Sequence, residues 1–322
     1  MIARLLVLLC LCVPPGLANR VHAAPSEQAI TVPMKAQKLG KHSYFVQGLP
    51  GAASSINQGF MSNAGFVVTN DGVVVFDALA SPPLAEQLVR VIRGITAQPI
   101  RRVIVSHYHA DHFYGLQVFK ALGAEIWAHK RAEGQTRTED AASRLAQRQE
   151  ALFPWVDEHT RLIEADRFLA GDTDFEMGGV HFALRYVGPA HSAEDMAMIV
   201  KNDGVLYAGD LVFRGRVPFV GDADSRAWIA ALDTLIAMKP KILVPGHGSP
   251  SRNPQKDLVF VRDYLKFLRQ ELGKAATNLV PFEEAYEQID WSKYRAMPAF
   301  NESNRVNAYN QYLRLEQEAT GQ

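Results

Sequence analysis

The stretch Ser106–Gly115, SHYHADHFYG, sets three histidines and an aspartate inside six residues, directly after the apolar run Val103–Val105. Imidazoles crowded this closely repel one another when protonated and gain nothing from packing together as a core. The apolar run reads as a strand, where residues two apart share a side, so His107 and His109 present their rings to one point as the chain leaves the sheet. The following DHFYGLQVFKAL has helical character, and the turn into it brings Asp111 and His112 back over the same rim. A transition-metal ion satisfies four such groups better than water or core packing does, because neutral imidazole and carboxylate are ordinary ligands for it.

Working outward, the order of elements around this stretch occurs twice. GFVVTNDGVVVFDA is a hairpin about Asn70-Asp71-Gly72 that ends at Asp77. A helix follows with Leu84, Leu88, Val91, Ile92 and Ile95 on one face, then Pro99, the strand RRVIVS and His107. In the second half AMIVKNDGVLYAGD is a hairpin about Asn202-Asp203-Gly204 that ends at Asp210. A helix with Trp228, Ile229, Leu232, Leu235 and Ile236, then Pro240, the strand KILVP and His247 complete it. The architecture expected is α/β: two related halves whose sheets pack face to face with helices outside, the strand ends meeting along one rim. Between the halves lie a polar helical stretch, Lys130–Glu150, and a strand pair turning at Gly178-Gly179. After Pro254 the pattern turns helical, with Leu258, Val261, Leu265, Leu268 and Leu272 at helical spacing and further helices starting near Phe282 and Ser303.

HYHADHFYG resembles the HxHxDHxxG signature of the metallo-β-lactamase-fold hydrolases, and later landmarks follow in that family's order: Asp77, His191 in GPAHS, Asp210 in YAGD and His247 in VPGHG. The resemblance implies a four-layer αββα sandwich over residues 24–254, with a C-terminal helical extension over 255–322 packed on it. It implies that His107, His109 and His191 bind one metal, that Asp111, His112 and His247 bind a second, and that Asp210 bridges them. Asp77 resembles the family's carboxylate that orients ligands by hydrogen bonding. Two Zn2+ per chain would share a hydroxide that attacks a carbonyl, with Asp111 as the catalytic residue holding or accepting the proton. The Gly-Asp pair at 209–210 resembles the glyoxalase II ligand set, where many β-lactamases have cysteine or serine. The segment RAWIAALDTLIAMKPKILVPGHG is similar to the exported zinc hydrolases of quinoprotein-relay and sulfur-oxidation systems. The expected substrate is therefore a small ester, thioester, lactone or β-lactam.

Composition narrows the class. With 34 basic against 34 acidic residues in 322, no field of one sign argues for nucleic acid or an anionic membrane. Residues 1–23 read as a secretory signal peptide: Arg4, the apolar run Leu5–Val13, then Pro14, Pro15 and Gly16, with cleavage after Ala23 or Ala24. The run is too short to span a bilayer, so no stable anchor remains after cleavage, and the expected location is periplasmic or secreted. Cys10 and Cys12 are the only cysteines, so the mature chain has no disulfide, thiolate ligand or cysteine nucleophile. No motif specifies an oligomeric state.

Two further features are assigned to substrate. Arg214 and Arg216 follow Asp210 closely and suit a substrate carboxylate. The loop GLPGAASSINQGFMSN, before the first hairpin, is small-residue-rich and suits a movable wall. Two other functions compete with the zinc hydrolase. One is an iron-dependent sulfur dioxygenase of the same fold, against which the intact Asp111, His112 and His247 set argues. The other is a non-catalytic periplasmic metal-binding accessory protein, against which Asp111 and Asp210 argue.

Overall fold

The computed structural model describes residues 29–221 and 223–320, so the leader expected over 1–23 lies outside the described residues. One sheet runs in chain order through β1 (Ala36–Lys38), β2 (Ser43–Val46), β3 (Ala64–Thr69), β4 (Gly72–Phe76), β5 (Ile100–Ile104), β6 (Glu125–His129) and β7 (Arg167–Leu169). The other contains β8 (Thr173–Met177), β9 (Val180–Tyr186), β10 (Met196–Val200), β11 (Val205–Tyr207) and β12 (Ile242–Val244), in spatial order β12-β11-β10-β9-β8. Helices are α1 (Pro82–Arg93), α2 (Ala110–Phe113), α3 (Leu116–Ala121), α4 (Glu139–Leu152), α5 (Ser225–Ala237), α6 (Pro254–Thr277), α7 (Phe282–Gln288) and α8 (Phe300–Thr320).

The doubled order is present in three dimensions. β3 and β4 form an antiparallel hairpin, α1 crosses over, and β5 returns parallel to β4. β10 and β11, α5 and β12 repeat that path, again with one antiparallel and one parallel pairing. Alternation along the strands separates the layers, since successive side chains point to opposite faces. Val73 and Val75 of β4 join the core that holds Leu84, Leu88 and Ile92 of α1, while Val74 and Phe76 join a central core with Met196, Met198, Val205 and Tyr207 of the opposite sheet. Leu206 and Leu243 turn outward onto Trp228, Leu232 and Leu235 of α5 and onto Leu258, Val261 and Leu265 of α6. This is the αββα order, with helices on both outer faces.

Hydrogen bonds across the two sheets help fasten the halves. Asp203, in the turn between β10 and β11, accepts from the backbone N–H groups of Lys41, His42 and Ser43 at 2.8–2.9 Å, and the Tyr207 hydroxyl donates to Tyr44 O across the sheets at 2.8 Å. The helices differ in detail from their sequence reading. Ser81 caps α1 by accepting from Leu84 N, and Gly94 ends it, so Ile95 falls beyond the helix, 41% exposed, and Val89 takes its place in the core. α8 buries polar side chains beside Ala308, Tyr312 and Leu315: Asn307 bonds Pro218 O, the Tyr264 hydroxyl and Val220 N, while Gln311 donates to Ala223 O. These bonds hold the segment that follows Arg216 against the C-terminal helices.

Candidate metal centre

β4 ends at Phe76, and Asp77 leaves it with φ 64, a left-handed conformation that costs energy in a residue other than glycine. The turn carries its carboxylate across to the end of the neighbouring strand. There it accepts from Ser106 N at 2.8 Å, Ser106 Oγ at 2.9 Å and His112 Nδ1 at 2.8 Å. His107 and His109 follow β5 in an extended segment, and the short α2 brings Asp111 and His112 back beneath them. His191 comes from the loop between β9 and β10, Asp210 from the turn after β11 and His247 from the loop after β12. Strand ends from both sheets thus meet at one place.

The ring nitrogens and carboxylates form two groups, His107, His109, His191 and Asp210, and Asp111, His112 and His247, with the donor atoms in each within 4.8 Å of one another. His109 Nδ1 lies 3.0 Å from both His107 Nε2 and His191 Nε2. A single ring proton satisfies only one of those contacts, which leaves acceptor nitrogens facing each other. Asp210 faces both groups. Its Oδ2 is 3.4 Å from His191 Nε2 and 3.9 Å from His107 Nε2, and its Oδ1 is 3.1 Å from His112 Nε2 and 3.3 Å from His247 Nε2. His112 Nε2 and Asp210 Oδ1 are buried and neither makes a hydrogen bond, although they are close. Buried polar atoms that converge without bonding fit metal ions.

The opposite ring nitrogens are anchored, which aims the free ones inward: His107 Nδ1 on Ser106 Oγ at 2.9 Å, His112 Nδ1 on Asp77, and His247 Nδ1 on Met61 O at 2.9 Å. Charge divides the groups. Burial pushes the His107 and His109 imidazoles down, and drives His191 down to about 3 despite Asp210. Burial also acts to lower His112 and His247, but Asp210 and Asp111 overcome it, lifting His112 well above its usual value and His247 to about 9. Against the same burial, the two imidazoles hold Asp111 and Asp210 well below the carboxylate range. Asp77 is raised by burial, which outweighs its partner His112.

The two arginines are placed differently. Arg214 donates to Asp257 Oδ2 at 3.1 Å, to Ser249 Oγ and to Pro250 O, so its guanidinium ties the loop to α6 and is not free to receive a substrate. Arg216 is half-buried, with a long Nε contact to Val217 O at 3.4 Å and its guanidinium 5.9 Å from the centre of the Phe213 ring. Burial lowers its pKa while Asp210, Glu302 and Asp111 raise it, which places its charge within reach of the centre.

The sequence reading missed several residues that shape the site. Glu194, buried, accepts from Tyr108 N at 3.0 Å, between the two histidines, and Asp195 accepts from Ser192 N and Oγ at 2.7 and 2.8 Å, beside His191. Asn63 donates to Pro245 O and Gly248 O, both at 2.8 Å, on either side of His247, and Ser62 donates to Asp111 O at 2.5 Å. The end of the small-residue loop is therefore built into the centre, and only its earlier part, with Ile56, is exposed. The adjacent acids Glu194 and Asp195, three and four residues after His191, were the available signal, since two carboxylates so near a candidate ligand are costly to bury without a role.

Comparison with known proteins gives the family. Residues 57–247, more than half of the chain, match the Metallo-beta-lactamase superfamily. The chain belongs to that superfamily. A metallo-beta-lactamase type 2 from Elizabethkingia meningoseptica is 25% identical over 196 residues, covering 58% of this chain and 69% of that protein. A metallo-beta-lactamase structure from Pontibacter korlensis superposes with TM-score 0.60 at 19% identity, covering 73% of this chain and 99% of that one. The stereoselective inverting sec-alkylsulfatase from Pseudomonas sp. superposes with TM-score 0.65 at 16% identity over 87% of this chain, which spans about half, 50%, of that enzyme. The protein is a metal-dependent hydrolase of the metallo-β-lactamase fold with a helical C-terminal region.

Proposed function

We propose that the protein is an exported binuclear zinc hydrolase of a small carbonyl substrate: an ester, thioester, lactone or β-lactam. His107, His109 and His191 would hold one ion and Asp111, His112 and His247 the other, with Asp210 between the two groups. The observation that carries this reading is Asp210, whose two oxygens face different donor groups at 3.1–3.9 Å. When bound, a zinc pair supplies Lewis acidity and lowers the pKa of water from 15.7 to about 7.

The chain's own residues supply the rest. Asp111, kept ionised by His112 and His247, offers Oδ2 as a proton acceptor beside the reacting centre. Arg216 orients an anionic group of the substrate, and Asp77 and Glu194 hold the His107–His112 segment so that its donors converge. Export rests on the character of residues 1–23, and the domain division at 254 on the change to helical spacing after Pro254. Among the described residues no helix is long and apolar enough to cross a membrane.

A second reading, hydrolysis of a sulfate ester, is favoured by the superposition with the sec-alkylsulfatase, which takes in 87% of the chain against 73% for the β-lactamase structure. The test is metal content of the purified full chain followed by a panel of carboxylic esters, thioesters, lactones, β-lactams and alkyl sulfates. Two zinc ions per chain with carbonyl turnover support the leading reading. Turnover of sulfates alone moves the assignment to the second, and absence of both metal and turnover after zinc loading rejects each.

A further inference from the structure

Tyr108 and Ala110, the chain neighbours of His109, line a cavity of about 340 Å3. That volume lies within the range of small-molecule sites. Phe113 and Tyr114 also line it, as do Asp140 and Arg144 of α4. The polar groups near the start of α4 are already used: Gln135 Nε2 donates to Glu194 Oε2 at 3.2 Å, and Thr138 Oγ1 accepts from Ala141 N at 3.1 Å as the helix cap. Among the described residues Arg144, exposed on α4, has no hydrogen bond or ion pair.

Positive charge lies on the α4 side of the cavity, while Glu164, Glu194 and Asp166 act on Tyr108. Asp140 stands in the first turn of α4, where the unpaired N–H groups of the helix start offset a negative charge. Arg144 lies past that turn, and Arg148, one turn on, adds a second positive charge beside Tyr114. An exposed guanidinium in a cavity that Tyr108, Phe113 and Tyr114 also line suits a flat, apolar group that ends in a carboxylate, which the planar fork receives through two parallel bonds.

We propose that this cavity is a specificity pocket for the carboxylate-bearing aromatic part of the substrate, read by Arg144, while the scissile bond lies at the centre beyond His109. The assignment rests on the hydrolase reading for its catalytic meaning, but binding at the pocket is measurable without turnover. Titration calorimetry of the zinc-loaded full chain with benzoate and with its neutral isostere benzamide tests it directly. Arg144→Gln should weaken benzoate by about tenfold or more while leaving benzamide unchanged, and Arg144→Lys should recover part of the loss. Equal benzoate affinity in wild type and Arg144→Gln would place the carboxylate elsewhere, for instance on zinc, and overturn the proposal. So would a parallel loss of benzoate and benzamide, which is the mark of a disturbed fold.

Turnover supplies the second readout. With 4-acetoxybenzoate and 4-tolyl acetate as paired substrates, Arg144→Gln should raise KM for the anionic ester only and leave kcat near wild type. A change in kcat for both esters with KM untouched would contradict a binding role. If the wild type hydrolyses neither ester yet binds benzoate through Arg144, the ester reading loses its support and the pocket stands.

Discussion

The two donor groups that share Asp210 are built from similar residues and differ in what surrounds them. His107, His109 and His191 face one another with burial keeping the rings neutral, and neither Asp210 nor the Asp111 charge that also acts on His109 and His191 offsets that burial. His112 and His247 face two carboxylates and are held positive without metal. A cation entering the first group displaces no proton from its rings. One entering the second competes with protons on both histidines, so its affinity depends more steeply on pH. Sequence spacing treats the two groups alike, and only the three-dimensional placement of Asp111 and Asp210 separates them.

Breaking the residue common to both groups should have the largest effect. Asp210→Ala removes the oxygens that face each, and we expect zinc content measured by plasma mass spectrometry to fall by at least one ion per chain. Turnover should drop on the order of a thousandfold, about 4 kcal/mol of transition-state stabilisation. Retention of full zinc and full kcat/KM would dismiss the shared-carboxylate geometry. The contrast between groups is sharpened by His191→Ala and His247→Ala. The first should lose the ion that binds at mildly acid pH, whereas the second should keep it and lose the ion whose binding strengthens as pH rises through about 9. Identical zinc-binding pH profiles for the two variants would erase the distinction.

Much of this was legible in the sequence, for identifiable reasons. The candidate donors lie beyond strand ends, where period-2 alternation and a hairpin turn such as Asn70-Asp71-Gly72 fix both register and direction. The doubled order located Asp77 and Asp210 as counterparts, and each does stand at the end of the second strand of its hairpin. What spacing does not carry is the identity of partners brought in from afar. Asn63 reaches the His247 loop across 182 residues to Pro245, and Glu194 reaches Tyr108 across 86. The same limit misled the reading of Arg214: proximity to Asp210 in sequence pointed to substrate, but Asp257 on α6 takes its guanidinium. Gly246 is a case where composition alone is silent, since only the structure shows that a Cβ there would overlap Asp210 Oδ1.

Smaller effects should come from residues that aim ligands without touching metal. Glu194→Gln keeps an oxygen for Tyr108 N but alters the bond from Gln135, and Asp77→Asn weakens the grip on His112 Nδ1. Each should cost about 10- to 100-fold in zinc affinity or kcat/KM with the circular-dichroism spectrum unchanged. Asp77→Asn should act on the mixed group, through His112, and Glu194→Gln on the three-histidine group, through the His107–His109 backbone. If both variants weakened the same ion equally, the two groups would be one coupled unit and the comparison would lose its meaning.

The smallest effect is expected where a carboxylate meets two cations in the open. Asp174 on β8 accepts from Arg185 Nη1 and Lys201 Nζ, both at 2.6 Å, and these bonds hold its pKa at about 2 against an ordinary 3.8. A carboxylate depressed in the folded state contributes stability above its unfolded pKa and loses that contribution as pH falls through the folded value. Asp174→Asn should therefore lower the urea midpoint at pH 7, by less than about 1 kcal/mol since water screens the trio, and the two proteins should converge near pH 2. A difference that persisted undiminished at pH 2 would mean that packing, and not charge, is at work on β8. Convergence would show how far burial separates this trio from Asp111 with His112 and His247, where no solvent stands in for a missing partner.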